Sequence, residues 1–439
     1  MLLAAAPDAA SSGVSVPVVV AVLLTLTSLL AWTNAKLLKL PMVIGVMALA
    51  LGGSLLLVVL HELVPGFDLD APARAVVAAV DFEAVVLEGM LAFLLFAGAL
   101  HVNLNDLLGQ KFVILTLATL GVVASTFVVG SLAYALMPLL GFELTFPQAL
   151  LFGAVVTPTD PIAVLGLMKS AGCPKGLETQ VVGESLFNDG VGVVVFLALL
   201  GAAFPHAGGE GISAPGLFEL FAVEVGGGIA AGLLCGFAAY QLIKRVNHAS
   251  VEVMLTLALT VGAYVLCQET LILGHHLSGP LAVVVAGLLI GNKGRVTGMS
   301  DHTREHLDTF WELVDELLNA LLFVLIGLEV LILALTGQAL LAGAVMIPVV
   351  LLARAAAVTG GVSLLKATGI RREFTPGARR VLVWAGLRGG ISVALALAIP
   401  RDAGLTRDLI VTATYVVVAL SILVQGLTVP WVVRKAVRG

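Results

Sequence analysis

Along this chain, polar residues fall in short clusters that separate long apolar runs. A hydrocarbon core about 30 Å thick takes about 20 apolar residues per helix. By that measure the sequence offers thirteen spans, centred near 14–33, 42–60, 82–101, 112–138, 147–168, 178–204, 216–242, 252–270, 275–291, 310–335, 339–365, 379–399 and 408–433. The longest connections, such as "NKGRVTGMSDHTREHLDT", hold no separate folding unit. The expected fold is an all-α polytopic membrane protein forming one integral domain over residues 1–439. Thirteen spans also divide into two inverted six-helix repeats, 14–204 and 252–433, linked by 216–242. The fifth and twelfth spans then correspond, and both carry a helix-breaking signal beside a charge, "TPTDP" and "GLRGG". Broken helices at membrane depth must be buried or line a watery cavity, so these two are expected to cross at mid-membrane around a transport site.

Composition excludes a soluble domain: 59% of the 439 residues are hydrophobic and only 12% are charged. Positive residues collect in cytoplasmic loops. With the N-terminus outside, eighteen of the 23 Lys and Arg residues lie in inside loops, and only Arg74, Arg401 and Arg407 lie outside. The remaining two, Arg354 and Arg388, fall within spans. The start, "MLLAAAPDAASSG", lacks the positive flank of a signal peptide, so the first span is expected to stay as a membrane helix. Cys173, Cys235 and Cys267 have no metal-type spacing and suggest no disulfide framework.

Charges inside spans carry the most information, because the bilayer makes an unpartnered one costly. Asp160 lies between Pro158 and Pro161. Proline removes a donor and clashes with the preceding turn, so the chain is expected to unwind around Thr157, Thr159 and Asp160, offering carbonyls and a carboxylate to a hard monovalent cation. The plainer alternative is a proline kink whose Asp caps the second half-helix. In "VVGESLFNDG" (181–190), helical spacing aligns Ser185 with Asp189 and Glu184 with Asn188. A polar seam gluing helices seldom needs two carboxylates so close together, which favours a small ion site. Arg354 cannot shed its proton and needs a buried anion, for which Glu184 is the leading candidate. Arg388, between glycines, either balances Asp160 or another carboxylate or snorkels toward the cytoplasm. Among weaker features, His275 and His276 mark a helix start near the interface. Gly228, Gly232 and Gly236 permit close helix packing, and Glu316 and Asn319 either line a path or sit near the membrane surface.

"TPTDP", "ESLFNDG", "LLAR" and "GLRGGISVALAL", in that order, resemble the NhaP-type sodium/proton antiporters of the first monovalent cation:proton antiporter family, which includes the eukaryotic sodium/proton exchangers. The resemblance covers nearly the whole chain. It implies thirteen helices, a homodimer and alternating access of a core bundle against a dimerisation domain. It also implies that Asp189 is the shared cation and proton carboxylate, with Ser185 and the Thr159 backbone as further sodium ligands. Asp160 would act nearby through water. Asn188 would occupy the place of a second aspartate in the electrogenic sister family, and Glu184 and Arg354 would make an interhelical ion pair. One departure stands out: where many relatives read "LLFE" in the third span, this chain has Ala97. Glu88, nine residues earlier, is about 13 Å away along a helix and a poor substitute.

The expected mechanism follows from one contested site. Proton and cation each neutralise the same carboxylate, so they exclude one another. If only the neutralised site changes its exposed side, the protein exchanges one ion for the other. Asn188 beside Asp189 leaves one fewer titrating charge than an Asp–Asp pair, which favours electroneutral one-for-one exchange of sodium or lithium for protons. Rival readings are a potassium-selective or electrogenic relative, a passive channel, and an intramembrane aspartyl protease using Asp160 and Asp189. The chain has no G-x-x-x-x-G-K-[ST] phosphate loop for a nucleotide-driven pump. The expected partners are the transported ions, the bilayer of a cell membrane and a second copy, with neither cofactor nor nucleic acid.

Overall fold

The computed structural model describes residues 15–63, 71–160, 162–204, 214–333, 336–370 and 374–438. The expectations for the first fourteen residues, Pro161, Arg371 and Arg372 lie outside them. In chain order the helices are α1 (Val16–Leu38), α2 (Met42–Leu63), α3 (Ala71–Ala78), α4 (Ala84–Leu100), α5 (Leu104–Leu140), α6 (Phe146–Val155), α7 (Ile162–Ser170), α8 (Lys175–Ala203), α9 (Glu219–Ile243) and α10 (Ala249–Glu269). A small antiparallel hairpin follows, β1 (Leu271–Ile272) with β2 (His275–His276). The chain continues through α11 (Gly279–Gly294), α12 (Asp301–Glu329), α13 (Gly337–Ala367), α14 (Ala378–Trp384), α15 (Gly390–Leu397) and α16 (Leu405–Ala436).

Eight of these helices are long and apolar enough to cross a membrane: α1, α2, α5, α8, α9, α10, α13 and α16. At the other five expected spans the structure has something less regular, for identifiable reasons. α4 and α11 are apolar but short, each with a π-helical turn, at 84–90 and 290–294. The fifth and twelfth spans are each split into two short helices, and the first half of α12 is too charged to count as apolar. The hairpin corrects one detail. His275 and His276 lie in β2, and the helix expected to begin there starts at Gly279, where the Ser278 hydroxyl accepts from Leu281 N–H at 3.4 Å. The turn between the strands places Leu273 and Gly274 at φ of +54° and +83°.

Side-chain size decides which helices approach closely. Gly228, Gly232 and Gly236 on α9 press against α11; a methyl added at Gly232 would sit 2.4 Å from the Ala282 carbonyl oxygen, and one at Gly228 would sit 2.6 Å from that of Ser278. The glycine seam is thus filled within this chain. α2 lies along α12, α4 along α11, and α13 along α16, while α6 is wedged between α5 and α8. Cys173, Cys235 and Cys267 are all free thiols. This packing holds the two split helices against α8 in the middle of the bundle.

Candidate cation-binding site

α6 begins with a capping box, in which Thr145 and Gln148 satisfy each other's backbone donors, and ends at Val155. Pro158 has no N–H to continue it, and residues 157–160 are non-helical. The Thr157 hydroxyl turns back to the Gly153 carbonyl at 2.7 Å. The carbonyls of Thr157 and Pro158, freed by the break, both accept from Nη1 of Arg388, the latter at 3.3 Å. Arg388, only 3% exposed, lies in the second break, between α14 and α15, so each interruption completes the other. Asp160 N–H likewise donates to the Leu387 carbonyl at 2.8 Å. Gly389 makes this approach possible: any Cβ there would stand 2.5 Å from Asp160 Oδ2. The Arg388 N–H is held by the Ser421 hydroxyl at 3.0 Å, itself bonded to Gln425.

Arg354 does for α14 what Arg388 does for α6. The C-terminal end of a helix carries partial negative charge on unpaired carbonyls, and Arg354 donates Nε and Nη2 to the Leu382 carbonyl at 3.2 and 2.9 Å. Its remaining donors reach across to Glu184 on α8: Nη1 to Oε1, and Nη2 to Oε2 at 2.9 Å. Glu184 is 1% exposed and Arg354 7%. This two-pronged pair ties α8 and α13 to the end of α14. Arg388 is placed against carbonyls, a partner for it that its flanking glycines did not announce.

Four polar side chains of α8 are buried together: Glu184, Ser185, Asn188 and Asp189. Asn188 uses both ends of its amide on the fifth-span break, accepting from Thr159 N–H at 3.3 Å and donating to Thr159 Oγ1 at 2.7 Å. Thr159 Oγ1 is also 2.9 Å from Ser185 Oγ. Asn188, Ser185 and Thr159 therefore form a closed brace. Asp189 is outside it: at 4% exposure, its Oδ1 is buried with no hydrogen-bond partner among the described residues. A buried, unpartnered carboxylate oxygen is costly unless something else neutralises it.

Asp189 faces a cavity of about 50 Å3 whose lining also includes Thr159, Asp160, Asn319, Gly389 and Ser392, room for a monovalent cation with some of its water. The α4 wall, Leu91, Leu94, Leu95 and Gly98, offers no side-chain oxygen. Ala97 is buried beside it, with its carbonyl 2.8 Å from His101 Nδ1, and Glu88 is exposed. Among the described residues no cluster of three His, Cys, Asp or Glu side chains suited to a resident metal occurs. Sequence reasoning leaves Asn319 between two alternatives and misses Asp315 and Ser392. Asn319 lines the cavity, and Asp315, one turn before it on α12, accepts from its amide. The pair is visible as polar residues four apart in "DELLNALLF", but the charges that open α12 hid it. Ser392, whose hydroxyl is also unpartnered, sits in an otherwise apolar run that gave no signal.

Membrane-length helices, two split helices in mutual contact and an unsatisfied buried carboxylate between them define a secondary transporter. The chain belongs to the sodium/hydrogen exchanger family: the model described as "Sodium/hydrogen exchanger, transmembrane" matches residues 22–435. The "Na(+)/H(+) antiporter NhaP" of Pseudomonas aeruginosa is 46% identical over 422 residues, covering 96% of this chain and 97% of that one. The "Na(+)/H(+) antiporter NhaH" of Halobacillus dabanensis is 36% identical over 358 residues, 81% of this chain and 83% of that one. Among solved structures, that of the sodium proton antiporter MjNhaP1 from Methanocaldococcus jannaschii aligns with a TM-score of 0.73 over 95% of this chain and 98% of that one. At 21% identity this is a likeness of fold. The family and these relatives are transporters and not enzymes, which removes the aspartyl protease reading.

Proposed function

We propose that this chain exchanges sodium, or lithium, for protons across a cell membrane, one for one and without net charge movement, by competition of both ions for Asp189. The observation that carries the reading is the buried Asp189 Oδ1, left without a partner on a cavity it shares with Asp160. Either ion would satisfy that oxygen, and neither leaves room for the other. An empty site keeps a bare carboxylate, which the surrounding apolar helices resist carrying across; this favours obligatory exchange over a channel. Asn188 is spent on Thr159 and adds no second charge, which supports electroneutrality. Ser185 and the Thr159 backbone complete the ligand set in this reading, with Asp160 acting nearby through water. The Glu184–Arg354 pair is structural.

The same reading takes the chain as a single antiporter domain of thirteen spans, with 14–204 and 252–433 as inverted repeats and 216–242 as the link. The two split helices occupy corresponding places in those repeats and touch one another. The N-terminus is outside, the C-terminus is cytoplasmic, and two copies assemble in the bilayer. Names of relatives that are sodium/proton antiporters support the choice of ions. The test is proton efflux from proteoliposomes on adding sodium, lithium or potassium, wild type against Asp189→Ala. Sodium- or lithium-driven flux that disappears in the variant is the expected result. Flux that survives in Asp189→Ala, or that potassium alone drives, refutes the reading.

A further inference from the structure

We infer that Asn319 gives its side-chain oxygen to the transported cation and that Asp315 is the positioning residue that keeps this oxygen turned toward it. The inference rests on the cation/proton reading above and assigns a wall of the site that no residue of the motifs "TPTDP" and "ESLFNDG" supplies.

Asn319 is 2% exposed and lines the same cavity as Asp189 of α8. Its Nδ2 donates to the Asp315 carbonyl at 2.8 Å and to Asp315 Oδ1 at 3.1 Å. Both partners are oxygens and need a donor. If the amide were turned over, its own oxygen would face them with no proton in between, so Asp315 fixes which end of the amide is free. The free end is Oδ1, which is buried and has no partner among the described residues. Asp189 Oδ1 is in the same condition on the same cavity. Two oxygens from different helices, each without a protein partner among the described residues and both on one cavity, suit a hard cation, which takes oxygen ligands. They do not suit a ligand that itself brings acceptors.

The third span explains why α12 is needed. With Ala97 in place of an acid, and Leu91, Leu94, Leu95 and Gly98 facing the cavity, α4 contributes no side-chain ligand. The neutral carboxamide of Asn319 adds an oxygen without adding a charge, so a site completed by it keeps the one-for-one count.

The test uses the full chain in proteoliposomes at fixed pH, reading the apparent sodium KM and the maximal rate of proton flux for wild type, Asn319→Leu, Asp315→Asn and the double variant. Losing one oxygen ligand from a charge is expected to raise the sodium KM about tenfold, with the maximal rate within about twofold. Asp315→Asn weakens one of the two acceptors that hold the amide, the main-chain carbonyl of residue 315 remaining, and is expected to raise KM by about threefold; the double variant is no worse than Asn319→Leu, because both act through one oxygen. In detergent, Asn319→Leu should melt with wild type in choline chloride but lose most of the wild type's stabilisation by sodium. An unchanged sodium KM in Asn319→Leu overturns the inference while leaving sodium/proton exchange intact. If that variant does not fold, Asn319→Ala takes its place, and an unchanged KM there overturns the inference. A wild type with neither cation-driven flux nor sodium stabilisation overturns both.

Discussion

Glu184→Ala removes the carboxylate that accepts two donors of Arg354, in a place where Glu184 is 1% exposed and Arg354 7%. Arginine cannot neutralise itself by losing a proton, so the variant leaves a full charge buried. Breaking a buried pair from one side costs about 3–5 kcal/mol, which is roughly a hundredfold to several thousandfold in the folded-to-unfolded ratio. Two bonds from Arg354 to the Leu382 carbonyl survive and keep α14 capped, so the loss should fall toward the lower end of that range. Arg354→Ala should cost more, because it also strands the Leu382 carbonyl, for about another 1–3 kcal/mol. The double variant should be less damaged than the sum of the two. The assay is the midpoint of thermal unfolding in detergent, followed by fluorescence-detected size exclusion, beside membrane yield. If Glu184→Ala melts and accumulates like wild type, the pair is not what joins α8 to α13 and α14, and the structural role assigned to it is wrong.

Other variants probe separate contacts. Gly389→Ala would place a methyl 2.5 Å from Asp160 Oδ2; it is expected to lower the rate of sodium-driven proton flux at least about tenfold while the protein still folds, and normal flux would contradict the crossing drawn here. Arg388→Leu strands the Thr157 and Pro158 carbonyls and should cost about 1–3 kcal/mol for each, seen as a lower unfolding midpoint together with lost transport. At Gly232, a leucine meets the Ala282 carbonyl and should reduce stability by about 1–3 kcal/mol through overpacking, measured as lower monomer yield and midpoint. On the proposal that proton and sodium compete for Asp189, lowering the pH by one unit should raise the apparent sodium KM, by up to about tenfold where protons hold most of the sites. A sodium KM independent of pH would rule competition out.

Much of the site was legible because membrane burial makes every charge conspicuous. Asp160, Glu184, Asp189, Arg354 and Arg388 stand out in apolar runs, and helix spacing sorts the α8 residues into faces. The structure brings Thr159, Ser185 and Asn188 into one brace and joins Glu184 to Arg354. What spacing left hidden was the role of the backbone. The partners of Arg388 are the carbonyls of Thr157 and Pro158, exposed by a break about 230 residues earlier in the chain, and no side-chain pattern announces a carbonyl. Asp315 was obscured for a different reason: α12 begins with a charged turn, so one further acid looks like its continuation, while Asn319 stands in the sequence as either lining a path or sitting near the membrane surface, and it lines the cavity. The hairpin at β1 and β2 was missed because a Leu–Gly turn between short apolar stretches reads as a helix start when His275 and His276 are taken as interfacial. The glycine repeat of α9 did signal close approach, and the structure supplies α11 as the neighbour that uses it.

The central claim is that one carboxylate holds either a proton or a cation. Its most direct test is calorimetric titration of sodium into the purified protein in buffers of different ionisation enthalpy, which counts protons released per ion bound. At a pH where protons hold most of the empty sites, the account predicts about one proton released for each sodium bound, and no sodium heat in Asp189→Asn. Sodium binding without proton release at that pH, or binding that persists in Asp189→Asn, would contradict it.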